Sequence, residues 1–452
     1  MRPAPKPNII HITFDGGRAD HLGFLGYPKD TSPFLDSLAR RGVSFKNAFA
    51  TGPGSSVSFV GLFTSTYPLD YGGYSYIERP RILVSEVLQK HGYTTIGIHS
   101  SPYLSGYFGY DRGWDIFRYL SPFKGGPMSP GLRPGTLKSK ILKKSSSLHK
   151  RLSREVPWVD GLVKFGERCL LFARKIVKDI TRFRPPYFTA EEINNEVKRV
   201  LREVPGKPVF LWVHYLDTHA PYGLFGRKGR GFIRKIKYYM SDFSSFLFGD
   251  YLFINRLFKR LYVGLYDDSL RYIDDNIKAL FHYLAACGIL NEHSIVVVNA
   301  DHGEEFFDHG GFGHDQRLYN SNLRVPLIFY SPKHFSAPHA EERPVSLIDV
   351  GPTILALIDV PKPTVFKGRD IFSREGDWEV IAQASDCEAD LSNPVFTGAT
   401  ILYGGYKLIH WKDEKLMFTL DDAEEKYNLY GREKEIVKQL EAGLKPYEAF
   451  RG

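Results

Sequence analysis

Two short motifs in this sequence carry residues of the types that bind divalent cations. Asp15 follows the apolar run NIIHITF and opens a glycine-rich turn, while Asp301 and His302 follow the apolar run SIVVVNA. If both runs are strands of one parallel sheet, their carboxyl ends lie at the same edge, so these side chains should meet there. Two carboxylates and an imidazole suit Mg²⁺, Mn²⁺, Ca²⁺ or Zn²⁺. We therefore expect one divalent cation at this edge.

A serine-rich stretch has the composition of a loop that presents a nucleophile. Residues 51–65, TGPGSSVSFVGLFTS, place Ser55 and Ser56 after a Gly-Pro-Gly turn and before a helical apolar pattern. A serine at a helix N-terminus beside a cation can form an alkoxide and attack an ester centre. The alternative interpretation is that these hydroxyls only cap the helix.

A third strand-like run, PVFLWVHYL, is followed by Asp217 and His219. We expect these residues to converge on the same cleft as Asp15 and the Asp301-His302 pair. An imidazole can donate a proton near neutral pH, so His219 is the candidate for a general acid or for binding an oxyanion. The alternative for His219 is a structural role in a loop.

The order of apolar segments predicts the elements that position these residues. Strand-like runs alternate with helical patterns, one of which repeats apolar side chains at helical spacing: Leu270, Ile273, Ile277 and Leu280. This alternation predicts an α/β domain over residues 1–365 with a mostly parallel central sheet and helices on both faces. Basic and aromatic stretches at about 120–190 and 223–262 are interpreted as insertions over the cleft. From 366 to 452, short strand-like runs and a helix after Glu433 predict a small C-terminal α+β subdomain.

The composition limits the class of protein. A chain of 452 residues with 43% hydrophobic residues can bury a large core. A net charge of +9 comes without any nucleic-acid-binding motif, so no nucleic acid partner is expected. The three cysteines, Cys169, Cys287 and Cys387, are too far apart in sequence to indicate a disulfide framework or a thiolate metal site. The N-terminal apolar run is too short for a signal peptide or a transmembrane helix, which predicts a cytoplasmic protein.

The two insertions suggest a contact with an anionic surface. They combine basic runs such as KSKILKKSSSLHKR with aromatic stretches such as FIRKIKYYM. This composition is typical of segments that dock on phospholipid headgroups or an acidic polysaccharide. The alternative is a lid or an oligomer contact with a solvated basic face. We predict peripheral membrane association only through these segments.

Ordered motifs along most of the chain resemble the sulfatase family of the alkaline phosphatase superfamily. They include PNIIHITFDGGRADHLGFLGY, VSEVLQKHGYTTIGI, FLWVHYLDTHAPY, NADHGEEFFDHGGFGH, RVPLIFYSP and YKLIHW. The resemblance implies an alkaline phosphatase-like three-layer α/β/α fold and hydrolysis of an anionic ester. It also implies a metal held by Asp15, Asp301 and His302, a nucleophile that comes from residues 51–65 and also binds the metal, and substrate-facing His219 and His314.

The nucleophile motif departs from the family pattern, in which a cysteine or serine is followed by proline and arginine and is oxidised to formylglycine. Aligning the family's Leu-Leu-Thr-Gly on residues 62–65 puts the nucleophile at Ser55, with Val57 in place of proline and Phe59 in place of arginine. The similar stretch of the phosphoethanolamine transferases, which uses an unmodified threonine, also selects Ser55. We therefore expect no formylglycine, with Ser56 as the second candidate for the nucleophile.

Two further family hallmarks are missing. The second acidic residue after Asp15 is Gly16, and the Gly-Lys-Trp-His element is replaced by IHSSPYL, which places Ser100 near the position of the lysine. Arg317 is the candidate that replaces the lysine's charge. His314 could contact the substrate anion or join Asp217 at a second cation.

These residues support one leading hypothesis for the function and two alternatives. The leading hypothesis is a metal-dependent hydrolase that cleaves a sulfate or phosphate ester of a saccharide or lipid-linked saccharide through Ser55. The first alternative is a phosphoester hydrolase or phosphoryl-group transferase that uses unmodified Ser55. The second is a non-catalytic binding protein that keeps the fold and a structural cation.

Overall fold

The computed structural model describes nine segments of the chain: residues 6–121, 187–204, 208–220, 222–223, 259–314, 316–335, 337–373, 378–386 and 395–448. The two predicted insertions fall largely outside these described residues, as do Cys169 and Cys387. The predicted contact with an anionic surface therefore also lies outside the described part. Cys287 is exposed and free. In the described segments we find no helix with the length and apolar character needed to cross a bilayer.

The described residues form strands and helices throughout. The strands are β1 Ile9–Phe14, β2 Val43–Phe45, β3 Ala48–Phe49, β4 Thr94–His99, β5 Ile116–Tyr119, β6 Val209–Tyr215, β7 Ile295–Ala300, β8 Glu305–Phe306, β9 Phe312–Gly313, β10 Arg324–Val325, β11 Leu327–Tyr330, β12 His339–Glu341, β13 Val345–Ser346, β14 Val380–Asp386, β15 Val395–Tyr403, β16 Tyr406–Trp411 and β17 Glu414–Thr419. The α-helices are α1 Pro33–Ala39, α2 Ser55–Thr64, α3 Val84–Lys90, α4 Ala190–Leu201, α5 Lys259–Ala286, α6 Asn320–Leu323, α7 Val350–Leu357 and α8 Lys434–Leu444. Short 3-10 helices cover Ala19–His21, Gly23–Leu25, Asp70–Gly72, Pro102–Leu104, Gly106–Phe108, Leu347–Asp349 and Lys445–Tyr447.

The central sheet has eight strands in the order β12-β2-β11-β7-β1-β6-β4-β5. Its middle strands β7, β1, β6, β4 and β5 are all parallel to one another. Strand β11 runs antiparallel to both of its neighbours, β7 and β2. The mostly parallel sheet predicted from the sequence is therefore confirmed. The carboxyl ends of β1, β6 and β7 lie at the same edge.

Helices cover both faces of this sheet. Successive side chains of a strand point to opposite faces. On β6, the Trp212 ring packs against Phe63 of α2, with 4.9 Å between ring centroids, whereas the Tyr215 hydroxyl donates to Asn194 of α4 at 2.6 Å. Helix α2 also packs against α3 and α7, and α5 packs against α1 and α4. The predicted three-layer α/β/α fold is confirmed.

Helix α5 carries the apolar repeat that the sequence indicated. Leu270, Ile273, Ile277 and Leu280 are all buried. Asp274, which lies between two of them, accepts hydrogen bonds from the backbone N–H groups of Phe34 and Leu35 at the start of α1. The long helix therefore packs by an apolar stripe and also caps a neighbouring helix.

A separate four-stranded antiparallel sheet forms the C-terminal part, in the order β14-β15-β16-β17. Helix α8 packs on β15 and β16. A small apolar cluster lies between them and includes Ile401, Leu408, Met417 and Leu440. The predicted C-terminal α+β subdomain is thus present, while its boundary near residue 366 stays a prediction.

A buried ion pair joins this C-terminal sheet to the rest of the protein. Lys407 on β16 donates to Glu425 at 2.7 Å and to the Asn320 side chain at 2.9 Å. Glu425 in turn accepts from the Asn320 backbone N–H at 2.6 Å. Since Asn320 begins α6, the pair holds the end of the 301–319 loop segment against the C-terminal sheet.

We predict that Lys407→Met lowers the free energy of unfolding by about 3–5 kcal/mol, because it leaves the Glu425 charge buried without a cation. The double variant Lys407→Met/Glu425→Gln should recover more than half of this loss, since glutamine can still accept from Asn320. Urea denaturation measures both. The exposed pair Lys426–Glu424 is the control, and Lys426→Met should change stability by less than about 1 kcal/mol. A loss at Lys407 as small as the control's would contradict the prediction.

Candidate active site

The carboxyl ends of β1 and β7 place two predicted cation ligands side by side. Phe14 pairs with Ala300, so Asp15 and Asp301 follow paired residues. The Asp301 N–H donates to the Phe14 carbonyl at 3.2 Å, and the Gly16 N–H donates to Asp301 Oδ1 at 3.1 Å. Both carboxylates are buried. The register of two strands therefore fixes the separation of these groups.

Helix α2 brings Ser55 between the two carboxylates. The helix begins at Ser55, and its N-cap is Gly54, so the serine hydroxyl does not serve as the cap. Ser55 Oγ lies 2.9 Å from Asp15 Oδ2 and 2.7 Å from Asp301 Oδ2. It also lies 3.2 Å from His302 Nε2. Four residues from three separate parts of the chain thus meet around one hydroxyl.

The pKa values of the two carboxyl groups are shifted in opposite directions. Burial raises the pKa of Asp15, yet the imidazoles of His219 and His302 outweigh it and lower that pKa to about 2. Burial, followed by the Asp15 charge, raises the pKa of Asp301 well above its usual range. Within the described residues, Asp15 Oδ1 is buried without a hydrogen-bond partner. Two adjacent carboxylates and an unpartnered oxygen fit a divalent cation, which would offset both charges.

The side chain of His302 is oriented as a ligand. Its Nδ1 lies 2.7 Å from the Gly303 carbonyl oxygen, so this nitrogen carries the proton and donates it there. In a neutral ring, Nε2 is then the nitrogen with the lone pair, and it lies 3.6 Å from Asp301 Oδ2. A hydrogen bond that fixes the tautomer in this way is the usual support of a metal-binding histidine.

His219 and His314 lie beside this cluster. The ring centroid of His314 is 4.7 Å from that of His302 and 5.4 Å from that of His219. His219 Nδ1 lies 2.7 Å from the Ala220 carbonyl oxygen, to which it donates, which leaves Nε2 available to a ligand. His219 and His314, both predicted to face the substrate, therefore lie next to each other and beside the cluster around Ser55.

Glu304 is a site residue for which the sequence analysis assigned no role. Its Oε1 lies 3.3 Å from His314 Nδ1. Burial lowers the pKa of His314, but the Glu304 charge outweighs it, so this pKa is raised. Gly16 has a φ of +58°, and a Cβ there would lie 3.4 Å from Glu304 Oε2. The buried Glu304 carboxylate thus lies beside the position at which the family resemblance expects a second acid.

Two other predicted residues have partners elsewhere. Asp217 Oδ2 accepts from the Ala190 N–H at 2.9 Å, at the start of α4. The Arg317 guanidinium donates to the His309 carbonyl at 2.7 Å and lies 5.3 Å from the centre of the Trp411 ring. The contacts of these two side chains are therefore with α4 and the C-terminal sheet, and their role in substrate binding stays a prediction.

His214 is a second residue that the sequence analysis did not single out. It lies on β6, fully buried, and its ligand atom and those of Asp15 and Asp301 all lie within 4.8 Å of one another. Strand alternation is the signal that would have found it. His214 pairs in register with Thr13. Because Thr13 lies two residues before Asp15, strand alternation puts Asp15 and His214 on the same face of the sheet.

A model of the Sulfatase family matches residues 7–360 of this chain. Among curated proteins, human arylsulfatase A is 24% identical over 400 residues, which cover 80% of this chain and 66% of that protein. The chain thus spans just under two thirds of the length of that relative.

Two solved structures share the fold. One is BT4656 in complex with its substrate D-glucosamine-2-N,6-O-disulfate, with a TM-score of 0.66, 18% identity and 98% coverage of both chains. The other is the phosphonate monoester hydrolase of Agrobacterium radiobacter, with a TM-score of 0.63, 19% identity and coverage of 98% of this chain and 95% of that one.

The position of Asp217 predicts a pH dependence of stability. Burial raises its pKa to about 8 from an ordinary value of 3.8. Between these values the folded protein binds one more proton than the unfolded chain, so stability falls by about 1.4 kcal/mol per pH unit as the pH rises. Asp217→Asn removes this loss, so the variant should gain stability relative to the parent protein between pH 5 and pH 7, as measured by urea denaturation. Parallel pH profiles would contradict the prediction, and the exposed Asp413→Asn is the control.

Proposed function

Because the chain belongs to the sulfatase family, we propose that it hydrolyses a sulfate or phosphate ester with Ser55 as the nucleophile. The observation that supports this most directly is the position of Ser55 Oγ, within 2.9 Å of both carboxylates and 3.2 Å of His302 Nε2. A hydroxyl has one proton, yet here it faces acceptor atoms on three sides. Such a site favours loss of that proton once a cation is present.

Asp15, Asp301 and His302, together with Ser55, would hold the cation. When bound, a divalent cation lowers the pKa of a neighbouring hydroxyl and offsets the negative charge of the ester. The candidates are Ca²⁺, Mg²⁺, Mn²⁺ and Zn²⁺, and a nitrogen ligand distinguishes among them.

The protein's own residues would carry the reaction in two steps. In the first, Ser55 Oγ gives its proton to solvent and bonds to the sulfur or phosphorus, and the bond to the leaving oxygen breaks. His219, with Nδ1–H held by the Ala220 carbonyl, gives a proton from Nε2 to the leaving oxygen. In the second step, water gives a proton to His219 Nε2 and bonds to the sulfur or phosphorus. The bond to Ser55 Oγ then breaks, the anion leaves, and Ser55 Oγ takes up a proton from solvent.

We assign the substrate to the esters of saccharides or lipid-linked saccharides. The structural neighbour BT4656 is described with a disulfated glucosamine, which supports a sugar-bound anion. We expect His314, whose pKa is raised by Glu304, to contact that anion. The second structural neighbour, a phosphonate monoester hydrolase, supports phosphorus as an alternative centre.

The surroundings of Ser55 favour phosphoester over sulfate ester chemistry. Val57 and Phe59, which replace the proline and arginine of the family motif, are buried, and Phe59 packs against Trp212 with 5.8 Å between ring centroids. They offer neither a turn nor a charge to an enzyme that would install formylglycine. An unmodified serine ester of phosphate can be cleaved by water, whereas a serine sulfate lacks the aldehyde route of formylglycine. A phosphoryl-group transferase, in which an alcohol replaces water, is the second candidate.

We expect Ser55→Ala to lower turnover of an aryl phosphate by at least about a thousandfold, since no other group replaces the nucleophile. Ser56→Ala, one residue further along α2, is the matched control and should keep turnover within about tenfold. Steady-state assays on an aryl sulfate, a phosphate monoester and a phosphodiester, run in parallel, give the comparison. Equal activity of Ser55→Ala and the parent protein would exclude Ser55 as the nucleophile, and absence of turnover in the parent protein would favour a binding protein.

We also expect Ser55 to be an ordinary serine in protein from its native host. Mass spectrometry of the tryptic peptide 47–81 tests this, because conversion of serine to formylglycine removes about two mass units of hydrogen. We expect the peptide to have the mass of the unmodified sequence, and the protein to cleave the aryl phosphate faster than the aryl sulfate. A loss of two mass units together with the opposite preference would instead establish a formylglycine sulfatase.

A further inference from the structure

His214 has an environment that packing alone does not explain. The side chain is fully buried on β6, and within the described residues neither Nδ1 nor Nε2 has a hydrogen-bond partner. By contrast, His302 and His219 each have Nδ1 bonded to a carbonyl. A buried polar group without a partner costs free energy, so such a group in a folded protein needs an explanation, and a bound ligand is one.

The rings around His214 do not supply that ligand. Its ring packs edge-on against Phe59, with 5.0 Å between centroids, and stacks on Trp212 at 6.0 Å. These contacts explain why the ring is accommodated in an apolar layer. They leave Nδ1 and Nε2 without a hydrogen bond, because the neighbouring ring carbons neither donate nor accept a conventional hydrogen bond.

The carboxylates beside His214 indicate what the ligand is. The ligand atoms of Asp15, His214 and Asp301 all lie within 4.8 Å of one another. Two atoms bound to one cation at about 2.1 Å each can be up to about 4.2 Å apart, and up to about 4.8 Å apart for the longer bonds of Ca²⁺. A single ion can therefore contact all three with small side-chain adjustments.

We propose that His214 is a ligand of the cation that Asp15 and Asp301 hold, and that it makes the site selective for a transition-metal dication such as Zn²⁺ over Ca²⁺. The proposal rests on the metal site of the proposed function and adds a nitrogen from β6 to it. With His302, the site then offers two imidazoles, two carboxylates and the Ser55 oxygen. Ca²⁺ takes oxygen ligands, whereas imidazole nitrogen suits Zn²⁺ and other first-row transition metals.

His99 provides a matched control within the same sheet. It lies on β4, next to β6, and is fully buried. Its ring likewise packs against Trp212, at 5.5 Å. It is not in the group of Asp15, His214 and Asp301 whose atoms could share an ion. A change at His99 therefore tests burial of a histidine without loss of a metal ligand.

Calorimetric titration of metal-free protein with Zn²⁺ and with Ca²⁺ tests the selectivity without any substrate. The parent protein should bind Zn²⁺ more tightly than Ca²⁺. His214→Asn should weaken Zn²⁺ binding by at least about tenfold and change Ca²⁺ binding much less, while His99→Asn should leave both affinities within about threefold. Equal loss in the two histidine variants, or no loss in His214→Asn, would overturn the proposal.

A second measurement uses the parent protein alone and does not depend on how the variants fold. Anomalous diffraction from Zn²⁺-loaded crystals should place the ion about 2.1 Å from a ring nitrogen of His214. An ion held by Asp15, Asp301 and His302 but more than about 3 Å from His214 would refute the role of His214 and leave the proposed function intact. Failure of Zn²⁺ and Ca²⁺ alike to bind the parent protein, or unchanged binding in Asp301→Asn, would refute the metal site itself and the proposal with it.

Discussion

Two buried carboxylates that face one serine hydroxyl are the arrangement on which the rest of this structure depends. Asp15 and Asp301 are both shielded from water, so their charges repel strongly and neither is solvated. The protein surrounds them with donors and imidazoles: the Gly16 N–H, the Ser55 hydroxyl and His302 all lie within hydrogen-bonding distance of one carboxylate or of the hydroxyl between them. A bound cation would complete this balance of charges.

The register of the central strands and the N-terminus of helix α2 hold that arrangement in place. Strand β1 pairs with β6 on one side and β7 on the other, so the residues after their last pairs lie at one edge. A slip of one residue would turn Asp15 to the opposite face of the sheet. Helix α2 is held there as well, since Ser58 Oγ donates to the Asp301 carbonyl at 2.5 Å. The hydroxyl and the carboxylates are thus positioned by rigid elements and not by side-chain flexibility alone.

The C-terminal sheet supports the loop segment that carries His314. His309 Nε2 lies 3.1 Å from the Glu424 carbonyl, and Arg317 lies over Trp411. Further along, Asn320 bonds to the buried Glu425. Arg317 therefore contributes to the attachment of this loop. Within this loop segment, the Glu304 charge raises the pKa of His314.

The sequence by itself determined the sheet, the helices that flank it and most of the cluster. Asp15, Asp301, His302 and His219 end apolar runs, and parallel strands place such ends together whatever the details of packing. The family resemblance selected Ser55 within its helix. The sequence did not reveal Glu304, because its position depends on which atoms approach the backbone turn at Gly16. It did not reveal His214, because its position depends on which face of β6 meets α2. It also could not predict which groups Asp217 and Arg317 contact. Side-chain direction beyond a strand end is decided by the nearest tertiary partner, here the Ala190 N–H of α4 and the Trp411 ring of the C-terminal sheet, and no local pattern encodes that partner.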